Sequence, residues 1–286
     1  MNDMRNRLPY WLSAPGTLAI LALVAVPVAL ILALSLHPLL PDQSIGALWT
    51  LSNYREIAGD GYYHAIFART FWMAALVTLV CVVIGVPEAY VLSRLSSRWR
   101  AVSIVIVLGP LLVSVVVRTL GWAILLGNEG LINRTLLAVG WIDEPLRLMY
   151  TFTGMVVALV HVLVPLMVLA VWASLQKLEF SVEQAADSLG AGPITILWRI
   201  VLPQAIPGML SGSLIVFSLA ASAFATPAII GGRRLKVVAT TIYDQFLNEL
   251  NWPMGAALAA FLLVFVLIVS MLANRVIERR YRQVFA

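Results

Sequence analysis

Six long runs of apolar residues occupy about half of this 286-residue sequence. A helix needs about 20 such residues to cross the hydrocarbon core of a bilayer, and helices suit that environment because they satisfy their own backbone hydrogen bonds. Strands of a membrane β-barrel would instead show about 10 residues of alternating polarity, which these runs lack. The sequence therefore predicts an all-α integral membrane protein with six spans. The predicted spans are residues 15–36, 70–92, 101–126, 152–175, 206–230 and 253–273.

The composition excludes a soluble protein. Hydrophobic residues make up 61% of the chain and charged residues 12%, whereas a soluble domain carries about 25% charged residues. The net charge of +5 does not indicate nucleic-acid binding, because the cations form no basic stripe interleaved with aromatic side chains. The histidines are too scattered for a zinc motif, so no metal site is expected. We expect one transmembrane domain over residues 1–286, embedded in a lipid bilayer.

The first apolar run follows Arg5 and Arg7, as the core of a signal peptide would. It is longer than the roughly 7–15 residues of such a core, and no cleavage site with small residues follows it. We therefore expect a retained membrane anchor.

The distribution of Lys and Arg predicts the orientation of the spans, because cytoplasmic loops carry an excess of these residues. With the amino terminus inside, eleven of them fall in cytoplasmic segments and seven in outer segments, while Arg118 lies within a span. The inner residues are Arg5, Arg7, Arg94, Arg98, Arg100, Lys177, Arg199, Arg275, Arg279, Arg280 and Arg282. The GGRRLK stretch is a local exception that places three cations outside. Both termini are expected in the cytoplasm.

This orientation places the loop between the fourth and fifth spans, residues 176–205, in the cytoplasm. Ser181 followed by Gln184 matches a capping box, in which each side chain satisfies a backbone N–H at the start of a helix. Glu183 in the first turn suits the helix dipole, and Gly190 is a typical C-terminal stop. The pattern predicts a helix of about two turns.

A second short helix is expected to begin at Pro193, because proline suits the first helical position. Its predicted apolar stripe consists of Ile194, Leu197, Ile200 and Val201. Helices shorter than about 12–15 residues are marginal in water, so the loop must dock on something. One interpretation is a structured loop that packs on its own membrane domain. The other is a coupling element that fits a groove on a cytoplasmic partner.

The loop resembles a known motif. QAADSLG, nine residues and then an Ile-x-Leu-Pro stretch is similar to the EAA loop of binding-protein-dependent ABC importer permeases. The residues in register are Ala185, Ala186, Gly190, Ile200, Leu202 and Pro203. The resemblance implies that this loop couples the permease to an ATPase. It makes Ser181, Glu183, Gln184 and Asp187 candidate coupling residues too.

One position departs from the family pattern. The leading glutamate of the EAA motif falls at Gln184, while the acid of this chain, Glu183, lies one residue earlier. One residue turns a helical side chain by about 100°, so Glu183 is not expected to replace the family glutamate directly.

Further stretches are similar to spermidine/putrescine-type permeases, in particular to the first of the two permeases in such a system. These stretches are SNYREI, VRTLGWAILLGNEGLIN and QFLNELNWPMGAALA, and the resemblance extends over roughly residues 15–280. It implies a type I importer fold in a bacterial inner membrane and a polyamine substrate. Importers of other amines, amino-acid derivatives, opines or phosphonates share these motifs and remain alternatives.

The resemblance also implies partners. These are a second and usually different permease, two ATP-binding cassette subunits that use ATP and magnesium, and an extracytoplasmic substrate-binding protein. The chain itself lacks a phosphate-binding loop, which needs Gly-Lys-[Ser/Thr], because Lys177 and Lys236 follow Gln176 and Leu235. We therefore expect a subunit that is not an enzyme and binds no cofactor of its own.

Ionisable residues inside a membrane are costly and are candidates for function. Glu88 lies about 27 Å along its helix, near the cytoplasmic face, while Arg118 lies near the outer face. The two are therefore not expected to pair. Glu88 is interpreted either as a group that helps a cation leave inward or as an interfacial cap. Arg118 is interpreted as part of an outer gate, as the partner of an acid in an outer loop, or as a snorkelling side chain.

Other polar residues in the spans are candidates for the substrate pathway. His161 lies near the middle of the fourth span, where it could contact substrate or form a hydrogen bond within the bundle. Ser211, Ser218 and Ser222 recur on one face of the fifth span. They predict either a polar lining of the pathway or a close contact between helices.

Two other classes of function were considered. A secondary carrier often shows similarity between its halves, which is not evident here, and it gives no reason for the EAA-like loop. A membrane-embedded enzyme would need a catalytic motif, but the sequence contains neither GxSxG nor HExxH.

Overall fold

The computed structural model describes residues 2–176 and 180–280, and the side chains of residues 15–176 and 181–275 within them. The start of the predicted coupling loop, including Lys177, and the tail with Arg282 lie outside the described residues. The described helices are α1 Asn2–Ser35, α2 Ser52–Gly59, α3 Gly61–Arg94, α4 Ser97–Leu112, α5 Val115–Leu126, α6 Leu131–Ala138, α7 Phe152–Leu175, α8 Phe180–Ser188, α9 Pro193–Ile196, α10 Leu202–Ala221, α11 Val238–Tyr243 and α12 Trp252–Arg280. Three π-helical turns occupy Leu197–Val201, Pro227–Gly231 and Asp244–Asn248.

Six helical stretches are long and apolar enough to cross a membrane. They are Pro15–Ser35, Gly61–Arg94, Val115–Ala138, Phe152–Leu175, Pro193–Ala221 and Trp252–Arg275. The prediction of an all-α fold with six spans is confirmed. Within the described residues, the β structure consists of an isolated bridge between Leu39 and Ile45.

The third and fifth spans differ from their predicted bounds. The predicted third span, residues 101–126, is divided into α4 and α5, because Val113 and Ser114 adopt extended backbone. The fifth span was predicted at residues 206–230. In the structure its helix begins earlier, at Pro193, and breaks after Ala221. Apolar composition marks where a chain can lie in a membrane, but it does not mark where its helix breaks.

The chain divides into two compact units. The first consists of residues 1–64 and 241–263. In this unit the amide of Asn53 donates to the carbonyls of Ser35 and His37, both at 2.9 Å. The hydroxyls of Ser35 and Tyr54 are 2.7 Å apart. The two bonds from Asn53 satisfy carbonyls at the end of α1 and just after it, which would otherwise lack a helical partner. Together with the hydroxyl contact they fix α2 beside α1.

The second unit consists of residues 65–240 and 264–286 and is built around α7. Glycines at a four-residue spacing allow α10 to approach α7 closely, as in other membrane helices. A Cβ at Gly208 would lie 2.5 Å from the carbonyl oxygen of Ala170, and one at Gly212 would lie 2.7 Å from the sulfur of Met167. The two helices therefore touch almost backbone to backbone, and this contact forms the rigid centre of the unit.

Candidate functional site

The long loop between α7 and α10 is closed at its base. The hydroxyl of Ser174, in the last turn of α7, donates to the carbonyl of Gln204 in the first turn of α10 at 2.8 Å. Helix α8 begins at Phe180, so Ser181 lies inside its first turn and not at the predicted N-cap position. The capping box predicted for Ser181 and Gln184 is therefore misplaced. The residue that precedes Phe180 lies outside the described part of the chain.

Helix α8 ends where the sequence predicts. Gly190 has a φ of +82°, a left-handed conformation that glycine adopts without steric cost. Its N–H bonds to the carbonyl of Asp187 at 2.9 Å, and the N–H of Ala191 bonds to the carbonyl of Ala186 at 3.0 Å. This pair of bonds is a Schellman motif. It gives the helix a fixed end and lets the chain turn towards α9.

The side chains of α8 separate into an inner and an outer face. Glu183 is 7% exposed, and Ala186 packs against the core of the unit. Gln184 and Ala185, one and two residues after Glu183, are exposed together with Asp187. Glu183 therefore faces inward, whereas Gln184, which occupies the position of the family glutamate, faces outward.

An apolar stripe runs along the exposed side of α8. Val182, Ala185 and Leu189 follow one another at intervals of three and four residues, which places them on one side of a helix. All three are exposed, and Leu189 is 89% exposed although it is a large apolar residue. Exposed apolar side chains at this spacing are the anchors with which a helix binds a hydrophobic groove. We call Val182, Ala185 and Leu189 the exposed stripe.

The inner face of α8 is attached to α3 by charge. The guanidinium of Arg94, in the last turn of α3, forms an ion pair with the carboxylate of Glu183. The Arg94 guanidinium carbon lies 5.1 Å from the centre of the Tyr90 ring, and the Tyr90 hydroxyl donates to Glu183 at 3.5 Å. We call Tyr90, Arg94 and Glu183 the α3–α8 cluster. A buried carboxylate needs such partners, because burying it unpaired is costly.

Helix α9 begins at Pro193, as predicted, but it continues through the π-helical turn into α10. Within the predicted stripe Ile194 is 72% exposed, and Ile196 is buried instead together with Val201. The reason is the π turn, in which residues five apart lie on one face. Of the motif residues here, Ile200, Leu202 and Pro203 are half-buried. Pro203 lacks an N–H, and a widened turn just before it accommodates that loss.

A second polar region lies where spans break. Arg118, which is 9% exposed, donates from its Nη1 to the carbonyl of Pro110 and, at 3.5 Å, to the carbonyl of Val113. These carbonyls lie at the end of α4, where helical partners are missing. Arg118 therefore braces the break between α4 and α5. Among the described residues no acid pairs with it, and its guanidinium binds backbone carbonyls, so it is not a snorkelling side chain. Its interpretation as part of an outer gate stays a prediction.

Two contacts join α5 to neighbouring elements beside this break. The indole N–H of Trp122 donates to Nδ1 of His161 at 3.1 Å. Because indole is only a donor, Nδ1 must be the acceptor and the proton of neutral His161 lies on Nε2. The hydroxyls of Thr119 and Thr226 are 3.3 Å apart. Thr226 lies in the helical turn just after the interruption that follows α10, so this contact joins α5 to the chain beyond that interruption.

The remaining candidate pathway residues are dispersed. Glu88 is half-buried on α3 and has no hydrogen-bond or ion-pair partner among the described residues. Ser222 is exposed and donates to the carbonyl of Ser218 at 2.8 Å, and Ser211 is exposed and bonds within its own helix. The serines do not mediate the close helix contact, because Gly208 and Gly212 do so.

Several of these features were missed in the sequence. The Gly-x-x-x-Gly spacing of Gly208 and Gly212 is a readable signal of close helix packing that the serine pattern obscured. The pairing of Arg94 with Glu183 has no local signal, since the two residues are 89 positions apart (183 minus 94). Within the described residues, no group of three or more His, Cys, Asp or Glu side chains could hold a metal ion.

Six helical stretches able to span a membrane, with an exposed short helix between the fourth and fifth, are typical of a transporter permease. Sequence comparison then defines the family. The chain belongs to the binding-protein-dependent transport system inner membrane components, whose family model matches residues 82–283. It is a multi-pass inner-membrane permease of an ABC importer, a subunit that is not itself catalytic. The resemblance stated from the EAA-like loop is confirmed.

Individual relatives differ in what they transport. The spermidine/putrescine transport system permease protein PotB of Escherichia coli (strain K12) is 32% identical over 236 residues, 82% of this chain and 86% of that protein. The molybdenum transport system permease protein ModB of Mycobacterium bovis is 32% identical over 195 residues, 68% of this chain and 71% of that protein.

Solved structures share the fold. A bacterial alginate ABC transporter, crystallised in complex with an alginate pentasaccharide-bound periplasmic protein, contains a chain that matches with a TM-score of 0.80. The match covers 98% of this chain and 97% of that chain at 17% identity. The predicted importer permease fold is thereby confirmed.

Proposed function

We propose that this permease forms half of a translocation pathway that imports a polyamine of the spermidine/putrescine type. A second permease, usually a different chain in this subclass, completes the pathway, and an extracytoplasmic binding protein delivers the solute. Two ATPase subunits, which use ATP and magnesium, supply the energy. The similarity to PotB over 82% of the chain supports the polyamine substrate.

The exposed stripe of α8 is the observation that carries the ATPase contact. A short helix held on one side and apolar on the other suits a groove in a partner protein. We propose that α8 is the coupling helix, that its exposed stripe enters a groove of an ATPase subunit, and that Gln184 and Asp187 border the contact. The excess of Lys and Arg in the loops on this side supports a cytoplasmic location for α8 and both termini.

Gly190→Asp tests the coupling role in the assembled complex. Aspartate tolerates the left-handed conformation better than most residues, so the variant retains the turn but adds a charge at the docking end. We expect normal insertion of the subunit and loss of the ATP hydrolysis that solute-loaded binding protein stimulates. Gly140→Asp is the matched control, because Gly140 also has a positive φ and open space around it. Normal stimulation with Gly190→Asp would remove the coupling role from this loop.

The substrate is tested on the cognate binding protein. Titration with spermidine, putrescine, amino acids, opines and phosphonates should give tight binding of a polyamine only. Failure to bind any polyamine would overturn the substrate proposal without affecting the importer assignment. The chain alone, reconstituted in liposomes, should not take up the bound solute, whereas a secondary carrier would.

One observation favours a second candidate substrate class. Arg118 is a buried cation, and its Nη2 has no hydrogen-bond partner among the described residues. A guanidinium suits a carboxylate or phosphonate group, while it repels a polycation. An opine or phosphonate is therefore the alternative solute, and the same titration distinguishes the two classes.

A further inference from the structure

The α3–α8 cluster joins the proposed coupling helix to a membrane span. Arg94 lies in the last turn of α3, and Glu183 lies in the first turns of α8. Tyr90 contacts both charged groups, since it faces the Arg94 guanidinium and bonds to the Glu183 carboxylate. The ion pair is therefore held in one geometry by a third side chain.

Few other groups on α8 can perform this role. Among the α8 side chains that the structure describes, the other inward one is Ala186, whose methyl group provides only a small apolar contact. Gln184 is exposed and turned by about 100° from Glu183, so it cannot reach Arg94 without rotation of the helix. Because a buried carboxylate that loses its partner is strongly disfavoured, the orientation of α8 depends strongly on this ion pair.

The ion pair also lies close to an acid within the membrane span. Glu88 lies on α3 less than two turns before Arg94, on the same continuous helix. The ion pair therefore connects α8 to the span that carries Glu88. This acid is half-buried and has no partner among the described residues.

We propose that Glu183 is a positioning residue that fixes the coupling helix to α3, so that movement of the ATPase subunit displaces the second span. The inference rests on the proposed coupling function of α8. It assigns to Glu183 an inward mechanical role that the motif position, Gln184, does not have. Gln184 faces the partner instead.

The test uses the full complex of both permeases and the ATPase subunits in lipid nanodiscs. Spin labels are placed at Val91 on α3 and Ser188 on α8, both exposed, in a Cys81→Ala background. The variants are Glu183→Gln, Arg94→Gln and the charge exchange Glu183→Arg with Arg94→Glu. Arg98→Gln is the matched control, because Arg98 is an exposed cation in the first turn of α4, four residues after Arg94, and has no partner among the described residues.

Distances between the labels are measured without nucleotide and with ATP and vanadate. In the wild type and in Arg98→Gln, the distance distribution should be narrow in both states. Each single variant should broaden it and lower the ratio of stimulated to basal ATP hydrolysis by about fivefold or more. The charge exchange should restore the narrow distribution and at least half of the ratio, which a purely space-filling role would not do.

The outcomes separate this inference from the function on which it rests. If Glu183→Gln and Arg94→Gln keep the narrow distribution while the ATPase subunits remain bound, the positioning role is wrong and the coupling function stands. If the wild-type permeases do not retain the ATPase subunits at all, the proposed function itself fails. The proposal is also contradicted if the charge-exchange variant gives a distance distribution as broad as that of the single variants.

Discussion

The α7–α10 contact and the proposed coupling helix α8 belong to the same compact unit, but different forces hold them. The first is an apolar contact in which Gly208 and Gly212 bring two backbones together. The second is a short helix attached mainly by an ion pair, with most of its described side chains exposed. Tight apolar packing has few alternative arrangements, whereas a helix attached at one point can transmit force and can be released. The comparison indicates that the α7–α10 contact is rigid, whereas α8 can change its position relative to α3.

The largest effect is expected from Gly208→Val. Its side chain would meet the carbonyl of Ala170 and the backbone of Val171, neither of which can move aside cheaply. Overpacking of this kind costs about 3 kcal/mol or more, so little folded subunit should be extracted from membranes. Gly109→Val is the control, because no atom lies within 4 Å of a Cβ there. Equal yield and equal thermal stability of the two variants would refute the rigid contact.

Arg118→Leu should have the next largest effect. It leaves the carbonyls of Pro110 and Val113 without their donor, which costs about 1–3 kcal/mol. Thermal unfolding in detergent should show this loss, and Arg118→Lys should recover part of it. Arg134→Leu, at an exposed site, should change stability by less than about 0.5 kcal/mol. If Arg118→Leu unfolded at the same temperature as the wild type, the hydrogen bonds of Arg118 would not stabilise the break between α4 and α5.

Gly190→Ala tests the C-terminal end of α8. A non-glycine residue in the left-handed conformation costs about 1 kcal/mol, so the amides of Gly190 and Ala191 should exchange hydrogen faster while α7 and α10 remain protected. Asparagine tolerates this conformation, so Gly190→Asn should keep most of the protection. Similar exchange in both variants would mean that the Schellman motif does not fix the end of α8.

Trp122→Phe should have the smallest effect on stability, about 0.5–1.5 kcal/mol. It removes the donor that fixes the tautomer of His161. The nitrogen chemical shifts of His161 should report a single Nε2–H tautomer in the wild type and a mixture in the variant. An unchanged tautomer would show that the Trp122 bond does not control the imidazole.

The sequence predicted the elements that depend on local composition. Apolar runs predicted the six spans. Gly190 predicted the end of α8, because a glycine that follows a helical segment is a local signal of helix termination. The sequence did not predict the break at Val113 and Ser114, since Pro110 allows helix interruption without requiring it. The pairing of Arg94 with Glu183 and the brace by Arg118 depend on tertiary contacts, which local patterns do not contain. Ser181 shows the same limit on a smaller scale, because α8 already includes Phe180 and Ser181, whereas the capping pattern places the first helical residue at Val182.

Disulfide cross-linking from the exposed stripe tests the central claim most directly. Leu189→Cys, in the Cys81→Ala background, would be paired with cysteines along the groove of the ATPase subunit in the assembled complex. We predict rapid cross-linking from Leu189 and from Ala185→Cys, and none from Gly140→Cys at the exposed turn after α6. The account would be contradicted if Leu189 and Ala185 failed to cross-link to an ATPase subunit that remained bound to the permease.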